Sequence, residues 1–132
     1  MSKYEHIRGI VYVSGPYTAS NYRSTHRNIE VAEQYTESLW KLGFGVMCPH
    51  SNTKHMELRA PKVPYEHYME LDLKLIESCD AIFMLPGWED SRGSNLEMEH
   101  AKALGIPVFM TVFDMTLAFP RAEGASLLHD TR

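Results

Sequence analysis

Short apolar runs alternate with amphipathic helical patterns along this chain, and that alternation restricts the fold more than any other feature. Ile10 to Ser14 reads as a buried strand that stops at Ser14-Gly15-Pro16-Tyr17, where glycine and proline end pairing. From about Arg23 to Leu42, the apolar positions Ile29, Ala32, Tyr35, Leu39 and Leu42 recur every three or four residues, and Gly43 follows where a helix C-cap belongs. Phe44 to Cys48 predicts a second strand, closed by Pro49. Tyr65 to Ser78 predicts a second helix, with Tyr68, Leu71, Leu75 and Ile76 facing the core and Asp72 on a neighbouring stripe. Ala81 to Leu85, Ser94 to Leu104 and Ile106 to Val112 then predict strand, helix and strand. Strands joined through helices pair in parallel with right-handed crossovers. The expectation is therefore an α/β, doubly wound, Rossmann-like fold with a parallel sheet of about four to five strands flanked by helices.

Two stretches resist this pattern. His50 to Pro64 is polar with weak periodicity and predicts a long loop, either a lid or binding loop or a disordered segment. The tail from Asp114 onward is ambiguous, with one helical turn expected at Ala125 to His129.

In open parallel sheets, ligands bind beyond the carboxyl ends of the strands. Ser14 to Tyr17 and Pro86 to Ser94 both leave such ends, so two segments distant in sequence are expected to face one crevice. The second runs into Gly93-Ser-Asn-Leu-Glu97, a glycine- and serine-bearing turn with a carboxylate expected in the first turn of the following helix. Locally, Ser94-x-x-Glu97 is a capping box, in which the glutamate reaches back to the Ser94 amide and has no further role. Against that, Gly93 lets a ligand approach the backbone, and the free amides and hydroxyls of a helix N-terminus suit an anionic or hydroxylated ligand. His100 and Ala101 are expected on the face of Glu97, and Glu99 on a solvated one.

The 132 residues, 44% of them hydrophobic, suit one compact domain spanning residues 1–132. A formal net charge of −4 argues against a duplex nucleic-acid binder, which carries a basic surface. No apolar run approaches the roughly 18 residues of a membrane helix, and the polar start MSKYEHIRG does not resemble a signal peptide, so a cytoplasmic protein without membrane association is expected. Cys48 and Cys79 form no CxxC pair and are expected as buried free thiols without a catalytic role. The spacing of His50, His55 and His67 matches no common ligand pattern, so neither a metal nor another cofactor is expected.

Three segments, Val11-Tyr-Val-Ser-Gly-Pro16, Asp72-Leu-Lys-Leu-Ile-Glu-Ser-Cys-Asp80 and Gly93-Ser-Asn-Leu-Glu97 continuing into Ala101-Lys-Ala-Leu-Gly-Ile-Pro-Val108, together resemble the nucleoside 2-deoxyribosyltransferase superfamily, including its nucleotide N-glycosidase branch. The resemblance covers about residues 10 to 112. It implies that Glu97 attacks the anomeric carbon, that Asp72 protonates or orients the leaving base, and that Tyr12 positions the nucleophile. It also implies that Ser14, Ser91 and Ser94 hold a 5′-hydroxyl or 5′-phosphate. The chain departs from the transferase pattern in carrying Met98-Glu99-His100 where a small residue and an aromatic are common. Gly15, Pro16 and Gly93 belong to the same crevice; Arg92 is a candidate phosphate partner, and Tyr17 and Trp88 are candidates to stack on a base.

The function expected from the resemblance is cleavage or transfer at the N-glycosidic bond of a nucleoside or nucleoside 5′-monophosphate. The chemistry is that of retaining glycosyl transfer, one carboxylate forming a glycosyl-enzyme intermediate while a second acid assists departure. The alternatives are a noncatalytic nucleotide-sensing module and a glycohydrolase of dinucleotides such as NAD. The resemblance and the exposed apolar residues of so small a sheet domain further suggest a homo-oligomer, most simply a dimer.

Overall fold

The computed structural model describes residues 6–121. Four strands, β1 (Ile10–Ser14), β2 (Gly45–Met47), β3 (Ala81–Met84) and β4 (Val108–Phe109), form one all-parallel sheet in the order β2-β1-β3-β4. Tyr12 stands beside Met47 on one side and Ile82 on the other, and Ser14 beside Met84. Strand alternation divides the side chains between two cores. Val11, Val13, Ala81, Phe83 and Leu85 pack against Ala32 and Leu39 of α1 (Tyr22–Lys41) and Met115 of α6 (Val112–Ala118). Tyr12, Ile82 and Met84 pack on the other face, against Ile76 of α4 (Tyr65–Ile76) and Ala101 of α5 (Arg92–Ala103). The expected doubly wound α/β architecture is present.

Helix α1 starts at the Asn21 cap, whose side chain accepts the Ser24 amide, and ends before Gly43, which takes φ 98° at the position sequence had marked. Several features differ from expectation. The 50–64 stretch holds two short helices, α2 (Pro49–Asn52) and α3 (Met56–Arg59). The Tyr17 hydroxyl fastens it, accepting the His55 amide at 2.7 Å and reaching the Thr53 carbonyl and Glu57 carboxylate. Turns this short leave no apolar period to read.

The last strand is only Val108–Phe109, and the chain then enters α6 at the Thr111 cap, which accepts the Asp114 amide. Val112 belongs to that helix rather than to a strand. Helix α6 is held by Arg8, whose guanidinium donates to the carbonyls of Leu42, Thr116 and Phe119, a long-range tie invisible to local patterning. Leu71 of α4 is exposed and Ile76 alone of that helix is fully buried. The turn expected at Ala125 to His129 lies outside the described residues.

A further difference concerns α5. It begins at Arg92, one residue after the Ser91 cap, so Glu97 sits in its second turn. Ser91, not Ser94, accepts the N3 amide, at 3.2 Å from Ser94 N, and the expected capping box is absent. Asn95 locks this early start by donating to the carbonyls of Trp88, Glu89 and Ser91. No helix among the described residues is long and apolar enough to cross a membrane.

Candidate active site

The strand order reverses between β1 and β3, and the crevice expected at such a switch point lies there. Gly15 leaves β1 against Leu85, so closely that a Cβ at Gly15 would stand 2.6 Å from the Leu85 Cβ. The two segments beyond, 15–17 and 87–94, diverge around a cavity of about 730 Å³. That volume falls within the range of small-molecule sites, roughly 300–1,000 Å³.

Period two places Tyr12 and Ser14 on the α5 face of β1. Both donate to Glu97: the Tyr12 hydroxyl to Oε2 and the Ser14 hydroxyl to Oε1, each at 2.6 Å. Glu97 is only 6% exposed, and burial raises its pKa above the usual carboxylate value, an effect opposed by those two hydroxyls and by the His50 ring. Burial, then the Glu97 charge, pushes the Tyr12 pKa well above its ordinary value, so the phenol stays protonated and remains a donor.

Asp72 comes from α4 to line the same cavity as Glu97 and Tyr12, near enough to Glu97 for its charge to act on it. Burial, then the Glu97 charge and the hydrogen bond to it, push Asp72 up to about 7. Two carboxyl groups in a common dry site share one proton, because their charges repel. The two hydroxyls stabilise the ionised form of Glu97, so the proton belongs with Asp72. A fixed anion beside a protonated acid is an arrangement able to attack an electrophilic carbon and protonate a leaving group.

The N-terminus of α5 opens onto the same cavity through Ser91, Arg92, Gly93 and Ser94. The amides of Arg92 and Gly93 have no acceptor inside the helix, and the Ser94 hydroxyl is buried without a hydrogen-bond partner. These donors form an anion-compatible corner one turn from Glu97. Gly93 also makes room for Tyr65, whose hydroxyl would lie 3.1 Å from a Cβ at that position.

Not every expected residue reaches the cavity. Pro16 and Tyr17 line it, but Trp88 packs half-buried against the Tyr12 and Ile76 core instead of the cavity wall. It opens the short 3-10 turn Trp88–Asp90. His100 does not share the crevice with Glu97; its Nε2 lies 3.2 Å from Glu77 Oε2 beside α4. Glu99 is exposed. Cys79 is a buried free thiol, whereas Cys48 is only half-buried.

Sequence patterning offered His50 to Pro64 as a lid or binding loop or a disordered segment without singling out a site residue in it; His50, Thr53, Met56 and Glu57 line the cavity, together with Tyr68, which patterning turned toward the core. For His50 a signal existed: Cys48-Pro49-His50 leaves the carboxyl end of β2, the side of the sheet on which the crevice opens. Among the described residues, no cluster of three or more His, Cys, Asp or Glu side chains is placed to hold a metal ion.

A family model described as a domain of unknown function (DUF4406) matches residues 10–110. No curated protein matches the chain. Among solved structures, the fold matches 2-deoxyribosyltransferase from the psychrotolerant bacterium Bacillus psychrosaccharolyticus with a TM-score of 0.51 and 22% identity, over 75% of this chain and 69% of that one. The fold is thus nucleoside 2-deoxyribosyltransferase-like.

Proposed function

We propose, for a chain that belongs to the DUF4406 family, cleavage or transfer at the N-glycosidic bond of a (deoxy)nucleoside or nucleoside 5′-monophosphate. The observation that carries the proposal is Glu97, buried, with each oxygen held at 2.6 Å by a hydroxyl and with Asp72 lining the same cavity. The fold shared with 2-deoxyribosyltransferase adds support.

In the proposed reaction a Glu97 oxygen attacks the anomeric carbon, and the C–N bond breaks with its electron pair leaving on the base. The Asp72 proton goes to that base. A glycosyl ester on Glu97 results, and Asp72, now ionised, takes a proton from the water or second base that releases the sugar. Hydrolysis is placed ahead of transfer, and the corner at Ser91 to Ser94 is assigned to the 5′ end of the sugar.

Incubation with pooled nucleosides and nucleoside 5′-monophosphates, followed by chromatography for free bases, tests the proposal. Release of a base is expected from at least one member, and addition of a second base distinguishes transfer from hydrolysis. A panel that binds without releasing any base would replace the enzyme by a sensing module. Released nicotinamide from NAD would instead point to dinucleotide glycohydrolysis. A homo-oligomer is also proposed, since Met110, Phe113 and Leu117 are more than half exposed around β4 and α6. Light scattering showing a fully active monomer would end that part.

A further inference from the structure

One hydroxyl on the cavity wall has no part in the proposed reaction. Tyr65 opens α4 and lines the cavity together with Arg92, Gly93 and Ser94 at the start of α5. The two helix starts meet closely there: a Cβ on Gly93 would stand 3.1 Å from Tyr65 Oη and 3.9 Å from Met69 Sδ, the first closer than ordinary van der Waals contact. Gly93 takes no positive φ, so the position uses the missing side chain and not a special backbone. The phenol oxygen is thereby set over the second residue of α5.

Tyr65 is 52% exposed, and among the described residues its hydroxyl has one hydrogen-bond partner, Met69 Sδ, to which it donates at 3.4 Å. A thioether is a weak acceptor. A charged oxygen would take the same proton in a bond roughly twice as strong as a neutral one. Beside it, the Arg92 and Gly93 amides have no acceptor inside α5. Ser94, only 1% exposed and also lining the cavity, carries a hydroxyl without a partner, an arrangement that costs stability unless a bound group answers it.

We propose that Tyr65 is a specificity-determining residue that closes the anion corner from α4, its hydroxyl leaving Met69 to donate to a terminal oxygen of a phosphomonoester held at the α5 N-terminus. The role rests on the reading of that corner as the 5′ site given above. The phosphate is then held from two sides, by the α5 amides, the Ser94 hydroxyl and the Arg92 guanidinium on one and by the phenol on the other. Its three terminal oxygens supply acceptors for donors from both helices, and each bond is charge-assisted. A neutral 5′-hydroxyl offers one oxygen and no charge, so the phenol gains little by leaving the sulfur. Gly93 is the companion residue, because a side chain there would push the phenol off the corner.

The test is calorimetry at neutral pH with deoxynucleosides of the common bases and their matched 5′-monophosphates, with Glu97→Gln in every protein so that turnover does not intrude. In Tyr65→Phe the ratio of monophosphate to nucleoside affinity should fall at least about fivefold, the scale of a lost hydrogen bond to a charged group. Gly93→Ala should lower the same ratio, and by less when Tyr65→Phe is already present, because both changes remove one contact. An unchanged ratio in Tyr65→Phe, equal losses for nucleoside and monophosphate, additive losses in the double variant, or a failure to bind any monophosphate overturns the proposal. The expected fall in a protein whose wild type releases no base leaves the role of Tyr65 standing and removes the glycosidic reading. Base release with an unchanged ratio does the reverse.

Discussion

The Tyr12 hydroxyl donates to Glu97 Oε2 at 2.6 Å across 85 positions of sequence. The contact joins the middle of β1 to the second turn of α5 at the strand-order reversal of the sheet. With Ser14 on the other oxygen, it fixes the orientation of the carboxylate while burying it. Hydrogen bonds to an ionised group are the stronger kind, so these two offset part of the desolvation that burial imposes.

Glu97→Gln should lower base release by a factor on the order of a thousand or more, because it removes the attacking charge while keeping side-chain volume. Thermal stability should hold, since a buried amide costs less than a buried carboxylate. Glu99→Gln, at an exposed position of the same helix, should turn over like wild type. Trapping with a 2-fluoro nucleoside analogue and peptide mapping should place the sugar on Glu97. A label on Asp72 or Glu99 removes the assignment.

Asp72 carries a pH signature in stability. Its folded pKa of about 7 stands above the reference 3.8, so the native state holds a proton that the unfolded chain has lost between those values. The stabilisation from the neutral carboxyl is complete below about pH 4 and disappears as pH rises through 7. Asp72→Asn cannot ionise, so its Tm relative to wild type should be several degrees more favourable at pH 8 than at pH 4, where the shift is on the order of 4 °C or more per kcal/mol. Activity should fall in the same variant. Equal Tm differences at the two pH values would show that Asp72 is ionised in the folded protein.

A 5′-monophosphate should bind more tightly than its nucleoside, through the Arg92 guanidinium, the Arg92 and Gly93 amides and the unpartnered Ser94 hydroxyl. Calorimetry on matched pairs measures the difference, and Ser94→Ala should shrink it several-fold. Equal affinities would leave Ser91 and Arg92 with only a capping and turn role.

Gly15→Ala should destabilise the protein by about 1–3 kcal/mol, the usual cost of overpacking a dense interior. The added Cβ would stand 2.6 Å from Leu85 Cβ and 2.7 Å from its Cδ1, both close to the start of the crevice. Denaturant unfolding at neutral pH is the measurement. A loss below about 0.5 kcal/mol would mean that β1 and β3 part here without strain, and that the glycine is dispensable.

By itself the sequence determined the alternation of strands and helices, the α1 boundaries to within a residue, and the parity that sets Tyr12 and Ser14 on one face of β1. These follow from periods of two and 3.6 and from glycine at a helix end, all properties of neighbouring residues. Only the tertiary structure decided what Glu97 does, because Ser94-x-x-Glu97 is locally a complete capping box. The carboxylate can reach back to its own helix or across to β1, and the strand order β2-β1-β3-β4 brings two hydroxyls to it in a dry crevice while Ser91 caps the helix one turn early. The same long-range packing drew His50 into the cavity and turned Trp88 out of it. Local spacing offers a polar group its alternatives, and which one it takes depends on partners that burial brings together from distant parts of the chain.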